Sequence, residues 1–497
     1  MAEGMRITRT RGPHLWLASL GLGLVAGVTL APLAPATWLA AAPARGAVPF
    51  IGLGLCVPFA LLLLSMAVMP FIHERFWHHH FPDISFGLAG LVAGYYLWAF
   101  DLGHFGQHAM QHAAMEYYEF IALVGGLYVA SGGVVIRVRA RGGPFANTAL
   151  LAAGAVLANI VGTTGASVLL IRPFLRMNAG RIRPMHVVMF IFIVSNCGGC
   201  LTPIGDPPLY LGYIKGVPFF WTLEALWPQW LLCVGTLLVL FFVLDSRLLA
   251  RQLSRPSGAS LEVVSAIEGD ETKHGSAAAI SLRGAVGLTA LALIIAAVFL
   301  DPFLRSRGIH TPVPVGPAAQ ILIAAAAFFM TRPALRRENQ FTFFPILEVG
   351  LLFFGIFVTM TPALAYLAAN GDALGLTTPG TYYFATGALS GVLDNAPTYV
   401  NMLQVAVRPD AITPDRIEAL LATDAGVRTL AAISTGAVFF GAMTYIGNGP
   451  NFIVRAIADS SGVRMPSFFG YTLRAVLVLL PVLVLVYLVS FATGGTP

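Results

Sequence analysis

Two stretches of the chain read almost alike. Gly199-Cys-Leu-Thr202-Pro-Ile-Gly205-Asp206-Pro-Pro208 and Gly441-Ala-Met-Thr444-Tyr-Ile-Gly447-Asn448-Gly-Pro450 share the pattern G-x-x-T-x-I-G-[DN]-x-P, 242 residues apart. Upstream of each lies a matching segment, Val156-Leu-Ala-Asn159 and Val392-Leu-Asp-Asn395. All four sit in apolar blocks interrupted by Gly, Pro, Asn or Thr, where a lipid-facing helix keeps its backbone bonds closed. A helix broken at mid-membrane frees N–H groups on one half and carbonyls on the other, and together these hold an ion that hydrocarbon rejects. Small polar side chains at the breaks would complete such a cage. They are Asn159, Thr163, Thr164, Ser195, Asn196 and Thr202 from the first half, and Asn395, Thr398, Thr444, Asn448 and Asn451 from the second. For any one of them, capping a helix end or relieving freed backbone groups is an equal account. The symmetry of the set favours binding.

Two acids sharpen that reading. Asp394 lies at the turn of an apolar block, where a charge costs ~2.5–3.5 kcal/mol on insertion scales and marks an ion or proton path; a paired or protonated packing role is the alternative. Na⁺ is expected at Asp394, Asn159 and Asn395, with Asp394 and Asp206 coupling protons. Asp206 precedes Pro207-Pro208, so it also reads as the N-cap of a half-helix. Glu348 is placed either to snorkel to an interface or to deliver protons. Cys197-Gly-Gly-Cys200 has redox spacing without a βαβ context, so small-residue packing outweighs a thiolate role. His104, His108 and His112 recur every four residues beside Glu116, as a polar interfacial helix or, less simply, a zinc face. No P-loop, Ser or Cys nucleophile arrangement or Rossmann glycine pattern is found, so neither an enzyme nor an ATP-driven pump is expected, and no cofactor.

The elements that must position these residues follow from composition. The 497-residue chain is 57% hydrophobic and 10% charged, against about a quarter charged in soluble proteins. An all-α polytopic membrane protein is expected, with about eleven crossings near 15–33, 48–69, 84–102, 117–136, 186–213, 225–244, 283–300, 314–331, 343–367, 427–457 and 467–492. The blocks 144–171 and 378–408 are expected as re-entrant hairpins instead. Block 144–171 has Arg137, Arg139 and Arg141 before it and Arg172, Arg176, Arg181 and Arg183 after it, so the positive-inside rule puts both ends in the cytoplasm. The same count leaves both flanks of 378–408 outside. The expected plan is an N-terminal segment with the first helix (1–47), a first repeat (48–248) with an inward-opening hairpin, a cytoplasmic linker (249–282), and an inverted second repeat (283–492) with an outward-opening hairpin. Arg6, Arg9 and Arg11 ahead of the first apolar run allow a signal peptide, but a retained helix fits its length better. The net charge of +6 resides in short Arg clusters between apolar blocks, which excludes a nucleic-acid face. The four Cys all fall in apolar stretches, where no disulfide framework is expected.

At Asn159-Ile-Val-Gly-Thr-Thr-Gly-Ala, Ser195-Asn196, Leu201-Thr-Pro-Ile-Gly-Asp206 and Asp394-Asn-Ala-Pro397, the chain resembles the ion-transporter superfamily. That superfamily includes D-type bacterial sodium/proton antiporters, arsenite permeases and citrate or dicarboxylate transporters, and the resemblance covers most of 48–492. It implies an eleven-crossing fold with two hairpins, a scaffold that forms a homodimer and an elevator-like motion of the hairpin-bearing part. The Gly-Thr-Thr-Gly and Pro-Ile-Gly-Asp segments most resemble the antiporters. The paired Ser-Asn-Thr motifs of dicarboxylate carriers are replaced by Ser195-Asn196-Cys197 and Asp394-Asn395-Ala396. The expected function is exchange of Na⁺ or Li⁺ for H⁺ across a bacterial-type cytoplasmic membrane, with small inorganic ions and the lipid bilayer as partners. An organic-anion (citrate or dicarboxylate) or arsenite carrier on the same fold is the alternative. A membrane enzyme or metal sensor built on the His-rich segments is a third.

Overall fold

The computed structural model describes residues 13–30, 40–41, 50–100, 105–139, 142–253, 279–309, 311–408 and 411–492. The N-terminal arginines, His104, Arg141 and linker residues 254–278 lie outside the described residues. The protein is an all-α polytopic membrane protein, with eight helices among the described residues long and apolar enough to cross a bilayer. Such helices leave large apolar side chains on the outer surface: Phe329 is 82% and Phe469 81% exposed, as suits a lipid rather than a water boundary.

Each expected crossing is met by a helix or a broken helix. Pro13–Leu30, Val57–Ile72, Glu74–Ala99 and Phe105–Ser131 come first, the first packing along the third. The stretch 105–116 proves to be the opening turns of Phe105–Ser131 rather than a separate element, because its His, Gln and Ala residues favour helix well enough to continue the apolar run. Trp221–Leu253, Ala285–Val298, Val315–Met330, Phe344–Asn370 and Phe468–Ser490 are the later continuous helices. Phe105–Ser131, Ala285–Val298, Val315–Met330 and Phe344–Asn370 pack against one another as a scaffold. The sequence reading did not anticipate a small antiparallel ribbon, Val135–Arg139 with Ala279–Arg283, whose register runs from Val135↔Arg283 to Arg139↔Ala279 with Val138 opposite Ile280.

Four elements at the centre are interrupted. Pro144–Met177 runs as helix but turns at Gly162. Straight, its 34 residues would span about 50 Å; instead its ends touch, Gly142 N–H donating to the Met177 carbonyl at 2.7 Å, so it is a hairpin. Pro379–Ser390 and Asn395–Val407 form the second hairpin, with Arg408 at one end bonding the Tyr382 hydroxyl at the other. The broken helices are Pro184–Ile193 with Pro207–Ile214, and Asp424–Phe440 with Gly449–Ser460. Pro184–Ile193 is wrapped in protein: Val187 through Val194 are each 0% exposed. Packing is crossed. Besides contacts within its own half, the first hairpin packs on Gly449–Ser460, and the Asn395–Val407 arm of the second packs on Pro207–Ile214.

Candidate functional site

The first hairpin turns at Gly162 because its φ of +79° and ψ of +154° are open to glycine and strained for any L side chain. The turn aims the Thr163 N–H at the Gly205 carbonyl, 2.8 Å away. In the second half the Asn395 N–H meets the Gly447 carbonyl at 3.2 Å. Thr163 and Asn395 therefore hold equivalent places at the two tips. The sequence alignment of turns paired Asn159 with Asn395, and the structure corrects it: the first break falls at Gly162, past Asn159. The repeated glycines have a steric cause, since a Cβ on Gly205 would lie 2.1 Å from the Gly199 carbonyl oxygen, and one on Gly447 2.6 Å from that of Gly441. In both repeats the threonine closes the loop, its hydroxyl accepting from Gly205 N–H (Thr202) or Gly447 N–H (Thr444).

Asp206 is where these pieces converge. It occupies the N-cap position of Pro207–Ile214 in extended backbone, yet its side chain makes no capping bond. Instead Oδ1 accepts from Thr163 Oγ1 at 2.7 Å and Asn448 Nδ2 at 2.9 Å, and Oδ2 from Asn395 Nδ2 at 2.7 Å. The carboxyl group is 1% exposed and joins both hairpin tips to the opposite break. The capping expected at Asp206 occurs at Asp394, whose Oδ1 accepts from the Ala396 N–H at 3.0 Å at the head of Asn395–Val407.

The remaining candidates divide. Asn448 also reaches the Ser195 carbonyl, and the Ser195 hydroxyl pairs with Ser167, which the sequence reading missed. Asn196 Nδ2 donates to Asn451 Oδ1 at 2.6 Å, while Asn451 Nδ2 donates to the Gly441 and Thr444 carbonyls, so this pair ties the two breaks together. Asn159 is spent on backbone: Nδ2 donates to the Ala155 and Gly198 carbonyls and Oδ1 accepts from Leu201 N–H. The structure does not join it to Asp394. Thr398 returns its hydroxyl to the Asp394 carbonyl within its own helix.

Two cavities adjoin this centre. One of about 70 Å³ touches Asp206, Thr163 and Thr164, with room for a few waters or an ion. A larger one, about 400 Å³, is lined by Asp394, Asn395, Asn448, Glu348, Arg172 and Gln340 among others. Glu348 faces this space rather than the outer surface, so it belongs with the site.

A second buried polar cluster escaped the sequence reading. Asp245 accepts from Arg181, from His186 Nε2 at 2.8 Å and from Asn147 Nδ2 at 2.7 Å, while Asn147 and Asn178 exchange amide bonds at 2.8 Å across the two ends of the first hairpin. Its one visible signal was an acid near the end of an apolar crossing. Cys197 and Cys200 are buried free thiols. Among the described residues no three His, Cys, Asp or Glu side chains gather as a metal site, and His112 Nδ1 meets Glu116 Oε1 at 2.9 Å.

Comparison with known proteins adds one finding. The family described as "Putative citrate transport" matches residues 50–491, which takes in both hairpins and both broken helices. No curated protein matches the chain.

Proposed function

The chain belongs to that citrate-transport family, and from this premise we propose a cation-coupled secondary transporter that carries a citrate-class carboxylate across a bacterial-type cytoplasmic membrane. The observation that carries the reading is the cavity of about 400 Å³, which lies in the size range of small-molecule sites and ends against the cage around Asp206. The organic acid occupies the cavity. The cation or proton binds at the caged carboxylate, where hairpin-tip side chains replace water. The two repeats act as inverted halves and the scaffold forms a homodimer, so the hairpin-bearing part moves against a fixed frame.

A second reading keeps the same ion site without an organic substrate: exchange of Na⁺ or Li⁺ for H⁺. It is favoured by one feature, that every side chain bonded to Asp206 is neutral, so the ionised cage calls for a cation or proton. Proteoliposomes holding a pH-sensitive dye separate the two. Labelled citrate uptake driven by a Na⁺ or H⁺ gradient is expected from the carboxylate carrier. Proton movement on adding Na⁺ or Li⁺ without citrate, and no citrate uptake, would move the assignment to exchange. Arsenite serves as a third substrate in the same assay.

A further inference from the structure

We propose that Arg172 is a specificity-determining residue of the large cavity, the side chain that receives a carboxylate group of the organic substrate. The inference rests on the carboxylate reading above and deepens it. Among the described residues that line the cavity, Arg172 is the only Lys or Arg; the carboxylic acids there are Glu348 and Asp394, and the phenols Tyr128 and Tyr445 are neutral at ordinary pH. Among the described lining residues, this is the one centre of opposite charge that an organic polyanion meets.

The side chain is placed and left available for that role. Thr164, Val168 and Arg172 all line the cavity, and their four-residue spacing puts them on one stripe of the first hairpin's second arm. Thr164 adjoins Asp206 in the smaller cavity, so the stripe leads from the cage outward. Helical side chains lean toward the N-terminal end of their helix, which for Arg172 is the direction of Val168 and Thr164 on this stripe. Nη2 donates to Gln340 Oε1 at 3.0 Å, and Arg172 makes no ion pair among the described residues. One of five N–H donors is thus engaged, by a neutral partner that also lines the cavity. A guanidinium presents a planar fork that fits a carboxylate through two parallel bonds. Gln340 holds the fork until a carboxylate replaces it.

The competing account is that Arg172 is only a topological charge beside Arg176, Arg181 and Arg183. The two roles separate by experiment. The full-length protein, wild type, Arg172→Gln and Arg172→Lys, is purified in detergent, and its thermal midpoint is followed as citrate and, separately, Na⁺ are titrated. Citrate flux is then measured in proteoliposomes. Wild type should be stabilised by citrate. Arg172→Gln should need at least tenfold more citrate for the same shift and for half-maximal flux, with its response to Na⁺ unchanged. Arg172→Lys keeps the charge but loses the fork, and should need several-fold more citrate; it carries the test alone if Arg172→Gln fails to insert. Wild-type citrate dependence in a folded Arg172 variant overturns this inference and leaves the carboxylate reading standing. A wild type that neither responds to citrate nor moves it overturns the parent reading, and this one with it.

Discussion

Asp206 accepts bonds from three side chains that lie 43, 189 and 242 residues away in sequence. Such bonds to an ionised group contribute about 1.5–3 kcal/mol each, so the carboxyl group is both a possible ion ligand and the knot that joins the two tips. Asp206→Asn would turn an NH₂ group toward a donor and leave a buried group unpaired, at about 1–3 kcal/mol. It should therefore lower the thermal midpoint as well as suppress cation-dependent flux. Asp394→Asn isolates charge from structure, because Asn caps as well as Asp and its amide oxygen can still accept from Ala396 N–H. That variant is expected to melt within about 0.5 kcal/mol of wild type while its cation coupling fails; equal cation dependence in flux would remove Asp394 from the ion path. The contrast also explains what the sequence displayed. Asp206-Pro207-Pro208 is a local pattern and reads as a cap, whereas the partners that redirect the side chain are distant and leave no local mark. Asn395 and Asn448 were visible as members of a symmetric set. Their convergence on one carboxyl group required the crossed packing of the hairpins.

The hairpins were legible for a different reason. Residues 144–177 have the apolar content of an uninterrupted helix, and only the Arg clusters on both sides and the Gly-Thr-Thr-Gly interruption argued for a turn. The exact corner at Gly162 depends on backbone torsions that several nearby glycines could supply, which is why the turn was placed early at Asn159. A methyl group at this corner introduces about 1–3 kcal/mol of strain, so Gly162→Ala should lower the melting temperature and disturb the Thr163 bond to Asp206 together. Orientation is tested by labelling. The native thiols are poor competitors, since Cys197, Cys200 and Cys233 are buried and Cys56 half-buried. In the proposed orientation, which puts both ends of the first hairpin in the cytoplasm, Arg176→Cys should resist an impermeant thiol reagent in right-side-out cells. Leu374→Cys, beside the outer flank of the second hairpin, should react. Reaction at 176 from outside would reject the inverted arrangement.

Across the molecule, several polar links join the hairpins and broken helices to the scaffold. Lys215, at the end of Pro207–Ile214, pairs with Glu116 on Phe105–Ser131, and His112 bonds the same carboxyl group. Tyr210 and Tyr213 donate to the Glu119 and Val298 carbonyls at 3.3 Å. Arg172 to Gln340 is a further link, in the lining of the large cavity. In the cycle proposed above, movement of the hairpin-bearing part against the scaffold would part Lys215 from Glu116, a partly sheltered ion pair whose separation leaves both charges to be resolvated. A single substitution there would confound gating with the cost of an orphaned charge. Replacing both residues by Cys and joining them with a short thiol crosslinker avoids this, because both charges leave together. The crosslinked protein is expected to keep binding citrate but to stop transporting it, with flux restored by cleaving the linker. Undiminished flux in fully crosslinked protein would mean that these two helices stay together throughout the cycle, and that the moving boundary lies elsewhere in the molecule.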